Sequence, residues 1–327
     1  MRGPARGAAL AVDSGGSGLR AVLVPCGGPP SAATAPLTSG EPVRIGPRGI
    51  DAGHLLEQLL PMARQLLSNA GGAEVRAVAI GAAGLASLGD GLRAGLPAAL
   101  ARELGIRRVA LVADAVTAYT GALGARPGAV IAAGTGLIAL GTDLRRWRRA
   151  DGWGHLLGDC GSGAWIGRAG LEAALRAHDG RPGGSAALLA RAEAVFGPVT
   201  GLPGKLYPRT DRPAVLASFA PEVAACTADD PVAALILAAA ARHMAESAAA
   251  VCPASGEPRV ALTGGLFRLG DPLLVPLREE LVRLLPQAHQ VPAEGDPLHG
   301  AARIALALAN DTLELPYDEQ LLHVATE

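Results

Sequence analysis

The sequence predicts an α/β fold, because short apolar segments of strand length alternate with longer segments whose apolar residues recur at helical spacing. By this criterion Val75–Ala82 and Arg108–Val112 are strands, and Ile50–Asn69 and Gly91–Leu104 are helices. The chain has 327 residues, of which 50% are hydrophobic. It is therefore long enough for two domains or one large one.

Charge and cysteine content narrow the function classes. A net charge of -1 gives no reason to expect a nucleic acid or a membrane surface as partner. The four cysteines form no CxxC pair, so they predict neither a zinc site nor a disulfide framework. The apolar run Ala233–Ala241 is too short to span a bilayer, and the N-terminus lacks the pattern of a signal peptide. We therefore expect a soluble, cytoplasmic protein.

Two strands flank an acidic, glycine-rich turn near the start of the chain. Ala8–Val12 and Leu19–Val24 are the strands, and DSGGSG at 13–18 is the turn. Such a turn can present backbone N–H groups and a hydroxyl to a phosphate, and Asp13 can bind Mg²⁺ through water. It can equally be a tight hairpin whose glycines supply positive φ. The absence of GxGxxG and GK[ST] argues against a dinucleotide fold and a P-loop.

An acidic residue follows the predicted strand that begins at Arg108. Arg108–Val112 is followed by Asp114, after which Ala115–Leu123 is predicted to be a helix. Open α/β sheets bind ligands at the carboxyl ends of their strands, so Asp114 is a candidate general base. A carboxylate at a helix N-terminus is also a good cap, and the two roles are compatible.

A second hairpin precedes the most unusual stretch of the chain. Ala129–Ala133 and Leu137–Gly141 enclose a GTG turn, and each of the two hairpins can contact one side of a polyphosphate. The stretch 151–167, DGWGHLLGDCGSGAWIG, holds six glycines and two tryptophans. That composition suits a loop whose backbone a polar ligand approaches closely, with Asp159 and His155 as candidate contacts. The alternative is a glycine-rich hairpin turn whose tryptophans only pack.

The remaining elements are predicted from periodicity and turn residues. Helices are expected at Ala164–Ala177, Val232–Val251, Pro272–Leu285 and Leu298–Asn310, and loops at Gly84–Leu88, Gly197–Gly204 and Tyr207–Pro213. Val260–Leu262 is a short strand that leads into TGGLF at 263–267. A glycine pair at a strand end can let a flat ring lie against the backbone.

These motifs together resemble the sugar kinase–actin–Hsp70 superfamily of ATPases, and within it the N-acetylglucosamine kinase and BadF-type ATPase family. The resemblance is carried by DSGGS at 13–17, GTG at 134–136, GWGHLLGDCGSGAWIG at 152–167 and TGGLF at 263–267, in matching order over nearly the whole chain. It implies two RNase H-like domains, residues 1–113 and 114–327, with ATP and sugar bound in the cleft between them. It also implies that the helix near 298–310 packs on the first domain, that Mg²⁺ is required, and that the protein is a homodimer.

The resemblance also implies roles for individual residues. Asp114 matches the base that takes the proton from a sugar hydroxyl as that oxygen attacks the γ-phosphate of ATP. Asp13 matches the group that organises hydrated Mg²⁺. The phosphate contacts are Gly15, Gly16, Ser17, Gly134, Thr135 and Gly136, the adenosine contacts are Gly264 and Gly265, and the sugar contacts are Gly152, Trp153, Gly154, Asp159 and Gly163.

Three positions depart from the family pattern. Ile138 stands where an asparagine often contacts the sugar, Arg44 stands in place of an early loop asparagine, and Cys160 replaces a frequent acid. We therefore expect intact ATP-binding residues and an altered sugar pocket, with N-acetylglucosamine a poor substrate. Glucosamine, another amino sugar and a cyclitol-like polyol stay open. Two other functions also stay open: an ATPase that activates a partner enzyme, and a nucleotide-binding regulator with a decayed sugar site.

Overall fold

The computed structural model describes residues 7–15, 18–46 and 49–326, and two predicted phosphate contacts, Gly16 and Ser17, lie outside these ranges. Within them the strands are β1 (Gly7–Gly15), β2 (Gly18–Pro25), β3 (Leu37–Ser39), β4 (Ile45–Gly46), β5 (Gly49–Ile50), β6 (Glu74–Ala82), β7 (Arg108–Ala113), β8 (Gly128–Ala133), β9 (Leu137–Thr142), β10 (Trp147–Asp151), β11 (Arg259–Thr263), β12 (His289–Gln290) and β13 (Leu322–Thr326). The α-helices are α1 (Ala52–Asn69), α2 (Leu85–Leu88), α3 (Asp90–Leu104), α4 (Asp114–Leu123), α5 (Gly163–His178), α6 (Ala186–Phe196), α7 (Leu202–Leu206), α8 (Arg212–Ala217), α9 (Ala220–Cys226), α10 (Pro231–Val251), α11 (Asp271–Leu284) and α12 (Pro297–Ala309).

The chain divides into two compact units. The first unit holds the described residues up to Pro127, the segment Thr142–Trp147 and the described residues from Pro292 onward. The second unit holds Gly128–Gly141 and Arg148–Val291. We expected the division after residue 113, but it falls at residue 127. The reason is that α4 packs against α12, so both helices belong to the first unit.

The first unit is built on a six-stranded sheet in the order β13-β7-β6-β1-β2-β3. β1 pairs in parallel with β6, β6 pairs in parallel with β7, and β1, β2 and β3 form an antiparallel series. The strand interiors are mostly buried alanine, valine, leucine and isoleucine, as expected where helices cover a sheet. The pairs α4 with α12 and α1 with α3 supply that cover.

The second unit contains a five-stranded sheet in the order β10-β9-β8-β11-β12, in which β11 runs parallel to β8 and to β12. The order of its strands matches the order β3-β2-β1-β6-β7 in the first unit. Each unit thus has the third-second-first-fourth-fifth strand order of an RNase H-like domain, and the predicted fold class is confirmed.

The long alanine-rich helix α10 lies in the core of the second unit. Among the described residues it is the one helix whose length and composition would allow it to cross a membrane. One face of it, from Ala233 to Val251, is buried with aliphatic residues of the other elements of this unit. Its apolar character is therefore explained by core packing.

Several short elements were not predicted. The strands β3, β12 and β13 lack the length or the clean alternation that marks a strand in sequence. β13 forms because it pairs with β7, which precedes it by about two hundred residues. Helices α2 and α7 lie in segments that were expected to be loops. They were missed because each is only about one turn long and has glycine or proline in or next to it, which favours a loop prediction.

Candidate active site

The topology of the first sheet brings Asp13 and Asp114 to the same edge. Asp13 in β1 lies opposite Gly81 in β6, and Gly81 lies opposite Val112 in β7, two residues before Asp114. Because these three strands are parallel, their carboxyl ends meet at that edge. The negative charge of Asp13 helps to raise the pKa of Asp114, which is consistent with this proximity.

Asp114 is the first residue of α4, and part of its surface is exposed. Its Oδ1 accepts a hydrogen bond from the N–H of Ala115 at 2.9 Å, while its main-chain oxygen accepts one from Oγ1 of Thr117 at 2.9 Å. The N-cap itself is Ala113, so Asp114 is not the capping residue. Desolvation by the surrounding protein raises the pKa of Asp114 to about 6. Such a carboxyl is ionised at neutral pH and is a stronger base than an ordinary aspartate.

Arg20 connects Asp13 to the start of α12. It is the cross-strand partner of Asp13 in the first hairpin, and its Nε and Nη2 donate to Oδ2 of Asp13 at 3.2 and 2.6 Å. Its Nη1 donates to Oδ2 of Asp296 at 2.7 Å, and Oδ1 of Asp296 caps α12 by accepting from the N–H of His299 at 2.9 Å. Burial raises the pKa of Asp13, and Arg20 opposes that rise.

The arrangement at Asp13 fits a hydrated cation. Both contacts from Arg20 go to Oδ2, and within the described residues no donor contacts Oδ1. Mg²⁺ usually keeps several waters and takes only one or two protein carboxylates. A free Oδ1 on a carboxylate whose other oxygen is fixed can accept a hydrogen bond from a metal-bound water. Arg20 was not among the predicted site residues, although its place in the hairpin puts it opposite Asp13.

Arg44 lies in a segment that His54 of α1 fixes in place. The N–H of Arg44 donates to Nδ1 of His54 at 3.1 Å, and Nε2 of that buried ring lies 3.1 Å from Oε1 of Glu41. The Arg44 guanidinium donates to the same Glu41 oxygen at 3.2 Å. The charge of Arg44 is thus balanced within its own segment, and a substrate contact at this residue stays a prediction.

In the second unit, the GTG turn is hydrogen-bonded to the start of α5. The N–H of Gly163 donates to the oxygen of Gly134 at 2.9 Å, and the N–H of Ala164 donates to that of Thr135 at 3.1 Å. No acceptor among the described residues takes the N–H of Thr135 or of Gly136. A Cβ added to Gly134 would meet no atom within 4 Å. The turn therefore offers free amides and an open face, as a phosphate-binding turn requires.

Two carboxylates fix the glycine- and tryptophan-rich loop. Asp151 accepts hydrogen bonds from the N–H groups of Asp159 at 2.6 Å and Cys160 at 2.8 Å. Asp159 in turn accepts from the N–H of Gly154 at 3.1 Å, and desolvation raises its pKa. Both aspartates adopt left-handed φ angles, 60° for Asp151 and 54° for Asp159, which non-glycine residues rarely do. Asp151 was not among the predicted contacts, although it is the first residue of the glycine-rich stretch.

Close approaches at two glycines join this loop to the GTG turn. A Cβ on Gly136 would lie 2.7 Å from Oδ2 of Asp159, and a Cβ on Gly152 would lie 2.8 Å from Cδ1 of Ile138. The structure thus brings together the second-unit residues predicted to contact phosphate or sugar. These are Gly134, Thr135, Gly136, Ile138, Gly152, Trp153, Gly154, Asp159 and Gly163.

The predicted adenosine loop begins at the end of β11. Thr263 pairs with Ala132 of β8, and a Cβ on Gly264, whose φ is 109°, would lie 2.2 Å from the oxygen of Ala133. Only glycine fits this crossing of two backbones. A Cβ on Gly265 would meet the guanidinium of Arg268 at 2.8 Å, a contact that a flexible side chain can relieve. Adenosine binding by this pair stays a prediction.

Comparison with known proteins identifies the relatives of this chain. The model of the BadF/BadG/BcrA/BcrD ATPase family matches residues 10–305. A structure from Chromobacterium violaceum, named as a candidate N-acetylglucosamine kinase, is 27% identical and covers 93% of this chain and 99% of its own, with a TM-score of 0.69. A ROK family glucokinase from Streptomyces griseus, solved with glucose and AMPPNP, is 21% identical over 93% of this chain and 99% of its own, with a TM-score of 0.54. At that identity the glucokinase shows the fold alone.

One curated relative matches a shorter segment. The N-acetylmuramic acid/N-acetylglucosamine kinase of Clostridium acetobutylicum is 40% identical over 82 residues. The match spans 24% of this chain and 27% of that enzyme. The similarity therefore covers about a quarter of each protein.

Proposed function

The chain belongs to the BadF/BadG/BcrA/BcrD ATPase family, and from this premise we propose that it is an ATP-dependent kinase that phosphorylates a hydroxyl of an amino sugar or a related small polyol. The observation that carries the proposal is the pair Asp114 and Asp13 at one sheet edge. Asp114 has a pKa raised to about 6, and Asp13 has one oxygen held by Arg20 and one that no donor among the described residues contacts. A general base beside a group suited to hydrated Mg²⁺ is the arrangement that phosphoryl transfer from ATP requires.

Each group then has a defined task. Asp114 accepts the proton of the attacking sugar hydroxyl, and Asp13 would be the residue that holds hydrated Mg²⁺. The free amides of the GTG turn bind phosphate oxygens, and Asp159 with the Gly152–Gly154 backbone orients the sugar. ATP with Mg²⁺, when bound, supplies the phosphoryl group and neutralises the charge that develops on it. The protein contributes mainly positioning, which is the larger part of catalysis in this reaction class.

An amino sugar is the favoured substrate class because the C. violaceum and C. acetobutylicum relatives carry N-acetylglucosamine in their names. Ile138 argues against N-acetylglucosamine itself as the best substrate. Its aliphatic side chain lies against Gly152, where an amide would offer a hydrogen bond to a polar substrate edge. A buried polar group left unpaired costs about 1–3 kcal/mol.

The test is sugar-dependent release of ADP by the purified protein. The panel contains N-acetylglucosamine, N-acetylmuramic acid, glucosamine, glucose and a cyclitol, and the phosphorylated product is identified by mass spectrometry. We expect at least one amino sugar to be phosphorylated. ADP release that no sugar stimulates would contradict the kinase proposal and favour an ATPase that activates a partner.

The role of Ile138 has its own test. We expect Ile138→Asn to raise kcat/KM for N-acetylglucosamine by about ten- to a hundredfold, because the amide restores one hydrogen bond worth about 1–3 kcal/mol. Ile138→Leu is the matched control, since it keeps an apolar side chain of the same volume. Efficient use of N-acetylglucosamine by the wild type, with no gain in the asparagine variant, would contradict this account of specificity.

A further inference from the structure

Arg149 lies on β10, two residues before the loop predicted to contact the sugar. Side chains alternate between the two faces of a strand, and the next residue, Ala150, packs against the core of the second unit. Arg149 therefore points to the face away from that core. Its guanidinium carbon lies 4.1 Å from the ring centroid of Trp153, a side chain that is 65% exposed. The stack places a half-buried cation beside the Gly152–Gly154 backbone.

The charge of Arg149 has no protein partner in the part of the chain that the structure describes. It forms no ion pair and donates no hydrogen bond there, and its guanidinium stacks on the ring of Trp153. The nearest acid in sequence, Asp151, uses both carboxylate oxygens to accept from the amides of Asp159 and Cys160. A guanidinium stacked on an aromatic ring keeps its edge N–H groups free. Those groups can bind a carboxylate in a bidentate manner.

We propose that Arg149 binds a carboxylate carried by the sugar, so that the protein acts preferentially on an acidic amino sugar. The inference rests on the proposed function and adds a specificity-determining residue to the same site. Arg44, which stands in place of a family asparagine, is less suitable for this task because its guanidinium already donates to Glu41. A hexosamine with an ether-linked carboxylate, as in N-acetylmuramic acid, has the chemistry that Arg149 would recognise.

The experiment compares two substrates that differ in that carboxylate alone. kcat/KM is measured for N-acetylmuramic acid and N-acetylglucosamine in the wild type and in Arg149→Met and Arg149→Lys. We expect Arg149→Met to lower the value for the acidic sugar about tenfold or more, because a hydrogen bond to a charged group is lost. The value of kcat/KM for the neutral sugar should change by less than about twofold, which is below the effect of losing one such hydrogen bond. Arg149→Lys keeps the charge but not the planar, forked guanidinium. Its kcat/KM for the acidic sugar should therefore lie between the values for the wild type and Arg149→Met.

Arg148→Met is the matched control, because Arg148 carries the same charge on the same strand but points to the opposite face. If Arg148→Met lowered kcat/KM for N-acetylmuramic acid as much as Arg149→Met does, the preference for the acidic sugar would arise from the charge of the strand and not from contact with Arg149. That result would overturn the inference. An equal loss for both sugars in Arg149→Met would show that Arg149 only supports the loop, and would overturn it as well.

Binding measured by calorimetry separates this inference from the proposed function. If no sugar is phosphorylated, the kinase proposal fails. The affinity of the wild type and of Arg149→Met for N-acetylmuramic acid would still test Arg149 in that case. Tighter binding of the acidic sugar than of the neutral one, lost in Arg149→Met, supports the inference, and equal affinities in the wild type refute it.

Discussion

Replacing Asp114 by asparagine tests the catalytic assignment with the smallest structural change. The side-chain oxygen of asparagine can still accept the hydrogen bond from the N–H of Ala115, which Asp114 accepts at 2.9 Å. The variant loses the ability to take a proton at neutral pH. We expect kcat to fall by about 10²–10⁴, the usual contribution of a general base. This corresponds to about 3–5 kcal/mol of activation free energy.

We also expect the pKa of Asp114 to determine the pH profile of the wild type. The base acts in its ionised form, and its pKa is raised to about 6. Activity should therefore be constant above pH 7 and decline as the pH falls through 6, approaching about a tenfold loss for each further unit. The residual activity of Asp114→Asn should lack this acid limb, because the group that titrates has been removed.

The effect on stability has the opposite sign to the effect on activity. Desolvation by the surrounding protein raises the pKa of Asp114 above its ordinary value of 3.8, so the folded state favours the protonated form. The contribution of this group to the free energy of unfolding therefore decreases as the pH rises from below 3.8 to above 6. At pH 7.5 the uncharged asparagine variant should unfold at the same temperature as the wild type or at a higher one.

The assays are steady-state ADP release, ATP binding by calorimetry and thermal unfolding. Asp90→Asn is the control, because Asp90 is also the first residue of a helix and its side chain is 96% exposed. It should match the wild type in kcat and in pH profile. Near-normal turnover in Asp114→Asn, or an unchanged acid limb, would refute the assignment of Asp114 as the base.

Three further predictions concern Arg20 and two glycines of the GTG turn. Arg20→Met should lower the free energy of unfolding by about 1–3 kcal/mol, because it leaves the mostly buried Asp13 unpaired. Urea unfolding measures this loss, and the double variant with Asp13→Asn should recover part of it. Gly134→Ala should leave the unfolding temperature unchanged but raise KM for ATP, because its Cβ enters open space; wild-type ATP binding would contradict the phosphate role of the turn. Gly136→Ala should instead raise KM for the sugar, because its Cβ displaces the carboxylate of Asp159.

Local sequence patterns predicted the parts of the site that depend on neighbouring residues. The two strand–turn–strand hairpins and the position of Asp114 after a buried strand follow from hydrophobic periodicity and turn chemistry. The apolar run Arg108–Val112 correctly predicted a strand before Asp114, and β7 is almost entirely buried. These features are predictable since each is encoded within about ten residues.

Features that depend on distant contacts were not predicted. β13 exists because β7 has a free edge, and nothing within Leu322–Thr326 encodes that pairing. Asp151 and Asp159 have left-handed φ angles, and the hydrogen bond between them, from the N–H of Asp159 to Asp151, holds the two ends of the loop in this conformation. From sequence alone, positive φ angles are assigned to glycine. Because the loop contains many glycines, nothing in its sequence indicates that two aspartates also adopt such angles.

The two arginines near the predicted substrate segments show why pairing must be read from the structure. Sequence position favoured Arg44 as the group that meets the substrate, because it replaces a family asparagine. In the structure Glu41 contacts Arg44 at 3.2 Å, whereas Arg149 lies on Trp153 without a carboxylate partner among the described residues. An anion at Arg44 would have to replace an existing ion pair, whereas an anion at Arg149 would add one. The free energy gained by binding an anion is therefore larger at Arg149. A charged side chain without a protein partner is thus a better indicator of a ligand site than a departure from a family motif.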